Sequence, residues 1–135
     1  MSGRSFFDTS ILIYVFSLGD ARAAKAEELL ADGGYISVQV LNEFVAVAYR
    51  KLKMPWPEVR DALSAIRTLC EAPTPLSVAT HEAALEIAEQ YGYHIHDALI
   101  LAAALDADCD TLYTEDMQNG QRIGAITIRN PFLIG

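Results

Sequence analysis

The chain has no apolar run long enough to cross a membrane. Its longest, Ala98 to Leu105, covers eight of 135 residues, where about 18 are needed. Cysteine is scarce. Cys70 and Cys109 lie far apart with no CxxC pattern, so both read as reduced core thiols, as expected of a cytoplasmic protein. Residues 11–18 have the apolar character of a signal segment, but Asp8 stands where a basic stretch belongs, which argues against secretion. No G-x-x-x-x-G-K-[ST] or G-x-G-x-x-G sequence is present, so ATP and NAD have no support. No G-x-S-x-G elbow surrounds a nucleophile, which removes serine-hydrolase chemistry. Repeats and low-complexity linkers are missing as well, and residues 1–135 read as one domain.

Basic residues are few and unevenly spread. Ten Lys and Arg face 18 Asp and Glu, for a net charge of −8. Residues 1–67 balance, whereas residues 68–135 hold only Arg122 and Arg129 against ten acids. A phosphate-binding surface can therefore coexist with a cation-binding one, and the mean charge does not exclude a nucleic-acid partner. With 52% hydrophobic residues, the chain can bury a core without disulfides or structural metal.

Short apolar runs alternate with longer helical patterns. Strands are expected at residues 5–7, 35–38, 76–78, 111–113 and 125–128, with helices at 20–32, 38–52, 55–71, from a cap at Thr80 to Tyr91, and 97–106. The last of these helices is apolar on all sides, hence buried. In the helix before it, Ala83, Ala84, Ile87, Ala88 and Tyr91 form the inward face. The pattern is that of a three-layer α/β domain.

Four acids stand out. Asp8 and Asp116 follow the first and fourth expected strands, where ligands bind in open parallel sheets. Asp97 opens the buried helix, and Glu43 interrupts the apolar row Val40–Glu43–Val47. Each has a plain reading: Asp97 as an N-cap, Asp8 and Asp116 as turn formers, Glu43 paired with a core Arg or at an edge. A shared cause accounts for all four. Clustered carboxylates repel unless a cation joins them, and hard oxygen donors suit magnesium or manganese. Two such ions about 4 Å apart promote phosphodiester hydrolysis.

The segments FFDTSILIY, SVQVLNEF, HDALILAAA and LYTEDMQNG, with the ending IRNPF, resemble PIN domains, and among these most closely the VapC-type toxins. The resemblance implies a three-layer α/β/α domain with a five-stranded parallel sheet in the order 3-2-1-4-5. It further implies a magnesium- or manganese-dependent endoribonuclease, a homodimer, and an antitoxin protein that silences it. Carried over by position, Asp8, Glu43, Asp97 and Asp116 are the metal-binding and catalytic acids, with Glu115 as the alternative to Asp116. Thr9, Ser10 and Thr114 match hydroxyl positions that orient ligands or water. No further acid follows soon after Asp116, which leaves a second metal site open. A PIN-fold RNA-processing nuclease without an antitoxin shares the same site. A catalytically silent interaction module is a third reading, against which the intact acid set counts.

Arg50, Lys51, Lys53 and Arg60 are candidate RNA contacts, with Arg67 seven residues beyond Arg60 on the same helix side. For Lys51 and Lys53 a solvated helix end is an equal reading. Val47, Tyr49, Trp56 and Val59 offer an amphipathic groove for an antitoxin helix, although core packing explains Trp56 as well. His94 and His96 stand just before Asp97 and read first as structural loop residues, with a base or ligand role as the alternative for His96; His81 reads as exposed.

Overall fold

The computed structural model describes residues 3–133. Strand β1 (Ser5–Phe7) lies inside the sheet, and Phe6 and Phe7 are both fully buried. Successive strand residues face opposite sides, so both faces of the sheet are covered. β1 pairs in parallel with β2 (Thr111–Tyr113), which pairs in parallel with β4 (Ile126–Arg129). The two-residue β3 (Arg122–Ile123) folds back antiparallel onto β4 at the edge.

The expected order 3-2-1-4-5 is recognisable, but the sheet has four strands, one of them antiparallel, in place of five parallel ones. On the far side of β1 the second and third expected strands shrink to single parallel bridges, Phe6 with Tyr35 and Ser37 with Thr74. Bonds such as Tyr35 N–H to the Ser5 carbonyl (2.8 Å) and Thr74 N–H to that of Ile36 (2.9 Å) hold them. Two local features shorten these segments. Ser37 caps a helix at once, accepting from Val40 N–H. Pro73 and Pro75 flank Thr74 and lack the N–H that would extend the ladder. The approach at the second segment is close. A Cβ on Gly34 would lie 2.5 Å from the Phe7 ring, so only glycine fits there.

Helix α1 (Thr9–Val15) follows β1 and was not expected from the sequence. α2 (Arg22–Ala31), α3 (Val38–Arg50) and α4 (Trp56–Leu69) match expectation within a few residues. The residues expected as a strand at 76–78 instead supply a cap. Ser77 accepts from Thr80 N–H (3.1 Å) and α5 (Val78–Tyr91) starts directly after it, so Ser77 is the N-cap and Thr80 lies buried one turn in. On α5, Ala84 and Ile87 are buried as expected, whereas Ala83 is exposed. α6 (Ile95–Asp106) buries every residue from Ala98 to Ala104, as its unbroken apolar composition demands. α1 packs on α2 and α3, α5 on α6, and α3 reaches both α4 and α6. Among the described residues no helix is long and apolar enough to cross a membrane.

Candidate active site

The end of β1 and the end of β2 are joined at Asp8. Its N–H donates to the Tyr113 carbonyl at 3.0 Å. Its carboxylate, 2% exposed, accepts from Thr9 N–H at 2.6 Å and from the Thr114 hydroxyl at 2.5 Å. Asp8 is thus the N-cap of α1 and the anchor of the loop after β2. Thr114 Oγ1 in turn accepts from Asp116 N–H at 3.0 Å, so one buried hydroxyl ties two acids. Glu43, on α3, is held by Gln39 Nε2 at 2.8 Å and by the Thr9 hydroxyl at 3.5 Å. The plain reading of Glu43 as the partner of a core Arg does not hold. Asp97 lies in the first turn of α6, whose N-cap position is His94, so it is not the cap either.

The acids feel one another. Burial first, and then the charges of Asp116 and Asp97, raise the Asp8 carboxyl to about 7 against the pull of Thr114 and Thr9. Asp97 is raised by burial, then by Asp116 and Glu43, with His94 and His96 opposing. Asp116 is raised by burial and by Glu115 beside it, while Lys51 draws it down. Four carboxylates, from the end of β1, from α3, from α6 and from the loop after β2, thus lie within electrostatic reach of one another.

As the side chains stand, no three His, Cys, Asp or Glu among the described residues converge closely enough to hold a single metal ion. The chemistry of the donor set does fit a hard divalent cation. The donors are carboxylate oxygens, and at Asp8 and Asp97 the charge of neighbouring acids adds to burial in raising proton affinity.

Of the expected hydroxyls, Thr9 and Thr114 touch acids of the cluster. Ser10 instead accepts from Glu115 N–H at 3.2 Å and steadies the loop. Glu115 is bound elsewhere: Arg22 contacts it at 3.0 Å, the Tyr14 hydroxyl donates to it, and Arg22 lies 4.2 Å above the Tyr14 ring. Asp20 grips the other side of Arg22. Asp116 is the acid coupled to Asp8 and Asp97, and Glu115 is the one engaged by a cation.

Sequence reasoning missed Gln39, Arg22 and Tyr14. Gln39 sits four residues before Glu43 on one helix, a spacing visible in advance. Arg22 and Tyr14 reach Glu115 across 93 and 101 residues, a pairing no local pattern signals. His81, His94 and His96 are exposed. Burial raises both cysteine thiols to about 11, which makes them inert core groups.

The basic residues do not form one patch. Arg50 and Lys53 border a hollow with Tyr49, Met54 and Pro55, Arg60 and Arg67 line a groove on α4, and Lys51 acts on Asp116. The expected apolar groove is also incomplete. Val59 is in the core, while Tyr49 and Trp56 lie outside it, stacked at 4.4 Å between ring centroids.

A doubly wound α/β domain with acids gathered where its parallel strands end, beside a reversal of strand order, defines a class of protein with an anionic site at the sheet's switch point. Within that class the PIN domain model matches residues 5–120, and the chain belongs to the PIN-domain family. The fold is similar to that of a toxin–antitoxin complex from Klebsiella pneumoniae, with a TM-score of 0.73 at 24% identity over 96% of this chain and 99% of that one. It is also similar to VapC20 of Mycobacterium tuberculosis, described as a sarcin–ricin loop cleaving toxin (TM-score 0.66, 24% identity, 83% and 91% covered). A third likeness is to VapBC2 of Rickettsia felis bound to a promoter DNA fragment (TM-score 0.66, 24% identity, 93% and 97% covered). These are likenesses of fold. No curated protein matches the sequence.

Proposed function

We propose that this chain is a divalent-metal-dependent endoribonuclease, the toxin of a toxin–antitoxin pair, acting as a homodimer in the cytoplasm. The observation that carries the reading is the placement of Asp8 and Asp116, tied by the one Thr114 hydroxyl, at the strand ends of a PIN-family sheet, with Asp97 and Glu43 near enough for their charges to bear on the pair. Support for RNA as substrate and for an antitoxin partner comes from the similar structures, one a toxin–antitoxin complex and one a toxin that cleaves the sarcin–ricin loop.

Asp8, Glu43, Asp97 and Asp116 would hold magnesium or manganese, which when bound supplies a polarised water and charge for the leaving oxygen. Thr114 fixes the Asp8 carboxylate and the loop carrying Asp116 in one step. Gln39 and Thr9 hold both oxygens of Glu43, so its carboxylate faces the site already oriented, as ligand-supporting contacts do. Tyr14 and Arg22 keep Glu115 aside, which leaves Asp116 as the loop's contribution. Purified protein is expected to cut RNA with magnesium or manganese and to stop in EDTA. Cleavage that continues in EDTA would overturn the reading.

The two neighbouring acids are separated by substitution. Asp116→Asn is expected to lower single-turnover cleavage about 10²-fold and Glu115→Gln less than roughly tenfold. The reverse ranking would make Glu115 the ligand.

Arg50, Lys51, Lys53 and Arg60 supply attraction that an acidic chain otherwise lacks. Replacing Arg50 and Arg60 with Ala is expected to weaken RNA binding with little change in the chemical step. The salt dependence of binding should flatten by roughly 0.7 in log–log slope per lost phosphate contact. Unchanged affinity and slope would place the RNA on another face.

A further inference from the structure

The rings of Tyr49, in the last turn of α3, and Trp56, at the start of α4, lie 4.4 Å apart at 18°. They are 46% and 50% exposed. Both side chains thus stay about half exposed while stacked on each other, on a corner stiffened by Pro55 and Pro57. Core packing does not explain such a pair.

Its surroundings point to one chemistry. Arg50 and Lys53 share a hollow with the Tyr49 side of the pair. Arg50, Lys51, Lys53, Arg60 and Arg67 are five of the ten bases in a chain of net charge −8, with Arg60 and Arg67 in the separate groove on α4. Among the described residues none of these five bases forms a salt bridge. Aromatic faces beside unpaired cations are what a single-stranded nucleic acid uses, bases on the rings and phosphates on the charges. A partner helix would instead need an aliphatic trough, and Val59 is withdrawn into the core.

The corner and one of the acids lie on the same helix, α3. Around Glu43 a shallow hollow is lined by Gln39, Asn42, Glu43, Ala46, Val47 and His96. Glu43 and Arg50 are seven residues apart on this helix, about 10 Å along its axis and on one side.

We propose that the Tyr49–Trp56 pair is a base-stacking subsite that binds a nucleotide of single-stranded RNA along α3 from the scissile phosphate, with Arg50 and Lys53 on its flanking phosphates. The proposal rests on the ribonuclease reading above and extends it to how the strand is held. Trp56 is the chain's single tryptophan, so its fluorescence reports on this subsite alone.

The test titrates oligoadenylate and oligouridylate into an Asp97→Asn background with magnesium present. Quenching of Trp56 emission is expected, stronger with adenine. In that background Trp56→Ala should weaken binding by roughly 5- to 100-fold, and Trp56→Phe should restore most of it. In otherwise wild-type protein, Trp56→Ala should raise KM and leave kcat within a small factor. Wild-type cleavage with no quenching and an unchanged KM in Trp56→Ala would overturn the subsite while sparing the ribonuclease reading. A concentration-dependent blue shift of Trp56 without RNA, and no response to oligonucleotide, would assign the corner to a second copy of the chain and overturn it too. Failure of wild type both to bind and to cut RNA would remove both readings.

Discussion

Asp8→Asn and Asp97→Asn are each expected to lower RNA cleavage by at least about 10²-fold, the loss that follows removal of one strong electrostatic stabiliser. The two act from different elements. Asp8 is fixed at the end of β1 by Thr9 and Thr114, and Asp97 projects from the first turn of α6. Asparagine keeps the size and one carbonyl acceptor of aspartate but not its charge, so it tests the charge. At Asp8 the amide can still accept from one of the two donors, and it also relieves burial of a carboxylate whose proton affinity is already raised. Folding should therefore survive, and melting curves of the variants should show it. Single-turnover rates with saturating enzyme separate chemistry from binding. Because both groups are proposed to hold the same ions, the double variant should lose far less than the product of the single losses. Cleavage that persists in both single variants would place the reaction at another site or in a contaminant.

How far these residues could be read in advance depended on the range of the interaction. The burial of α6 follows from eight consecutive apolar residues, and Asp8 and Asp116 could be placed because strand ends position ligands in this architecture. Glu43 was visible as an acid on an apolar stripe. α1 was not. Its residues Ile11, Leu12, Ile13 and Val15 favour strand as much as helix, and the decision comes from the Asp8 cap and from packing of Ile11 and Leu12 into the core. β3 is two residues long, below the length at which alternation can be recognised. The third sheet segment was displaced from residues 76–78 to Thr74 because Ser77 and the helix after it claim that stretch. The role of Glu115 was undecidable locally, since Arg22 and Tyr14 come to it from the other end of the chain.

The metal-free protein is expected to become more stable as pH falls from about 7 towards 4, the reverse of ordinary acid denaturation. Asp8 has its native pKa raised from 3.8 to about 7, and Asp97 and Asp116 are raised in the same direction. Between those values the native state binds more protons than the unfolded chain, so unfolding free energy decreases as pH rises. At about 1.4 kcal/mol per pKa unit, Asp8 alone supplies at most about 4 kcal/mol across the window. Asp20, whose carboxyl is lowered by Arg22, works in the opposite sense but only near and below 4. A divalent ion that binds the folded state alone adds about 2.7 kcal/mol at a hundredfold excess over Kd. Protons compete with it for the same oxygens, so its increment should be largest near pH 7 and shrink towards pH 5. Melting temperatures with EDTA and with magnesium should therefore converge on acidification, with the EDTA curve rising by several degrees. Asp8→Asn should flatten the EDTA curve and remove most of the magnesium increment. Parallel curves in wild type, or an EDTA curve that falls between pH 7 and 5, would show that the buried carboxylates are neither coupled to folding nor competed for by the ion.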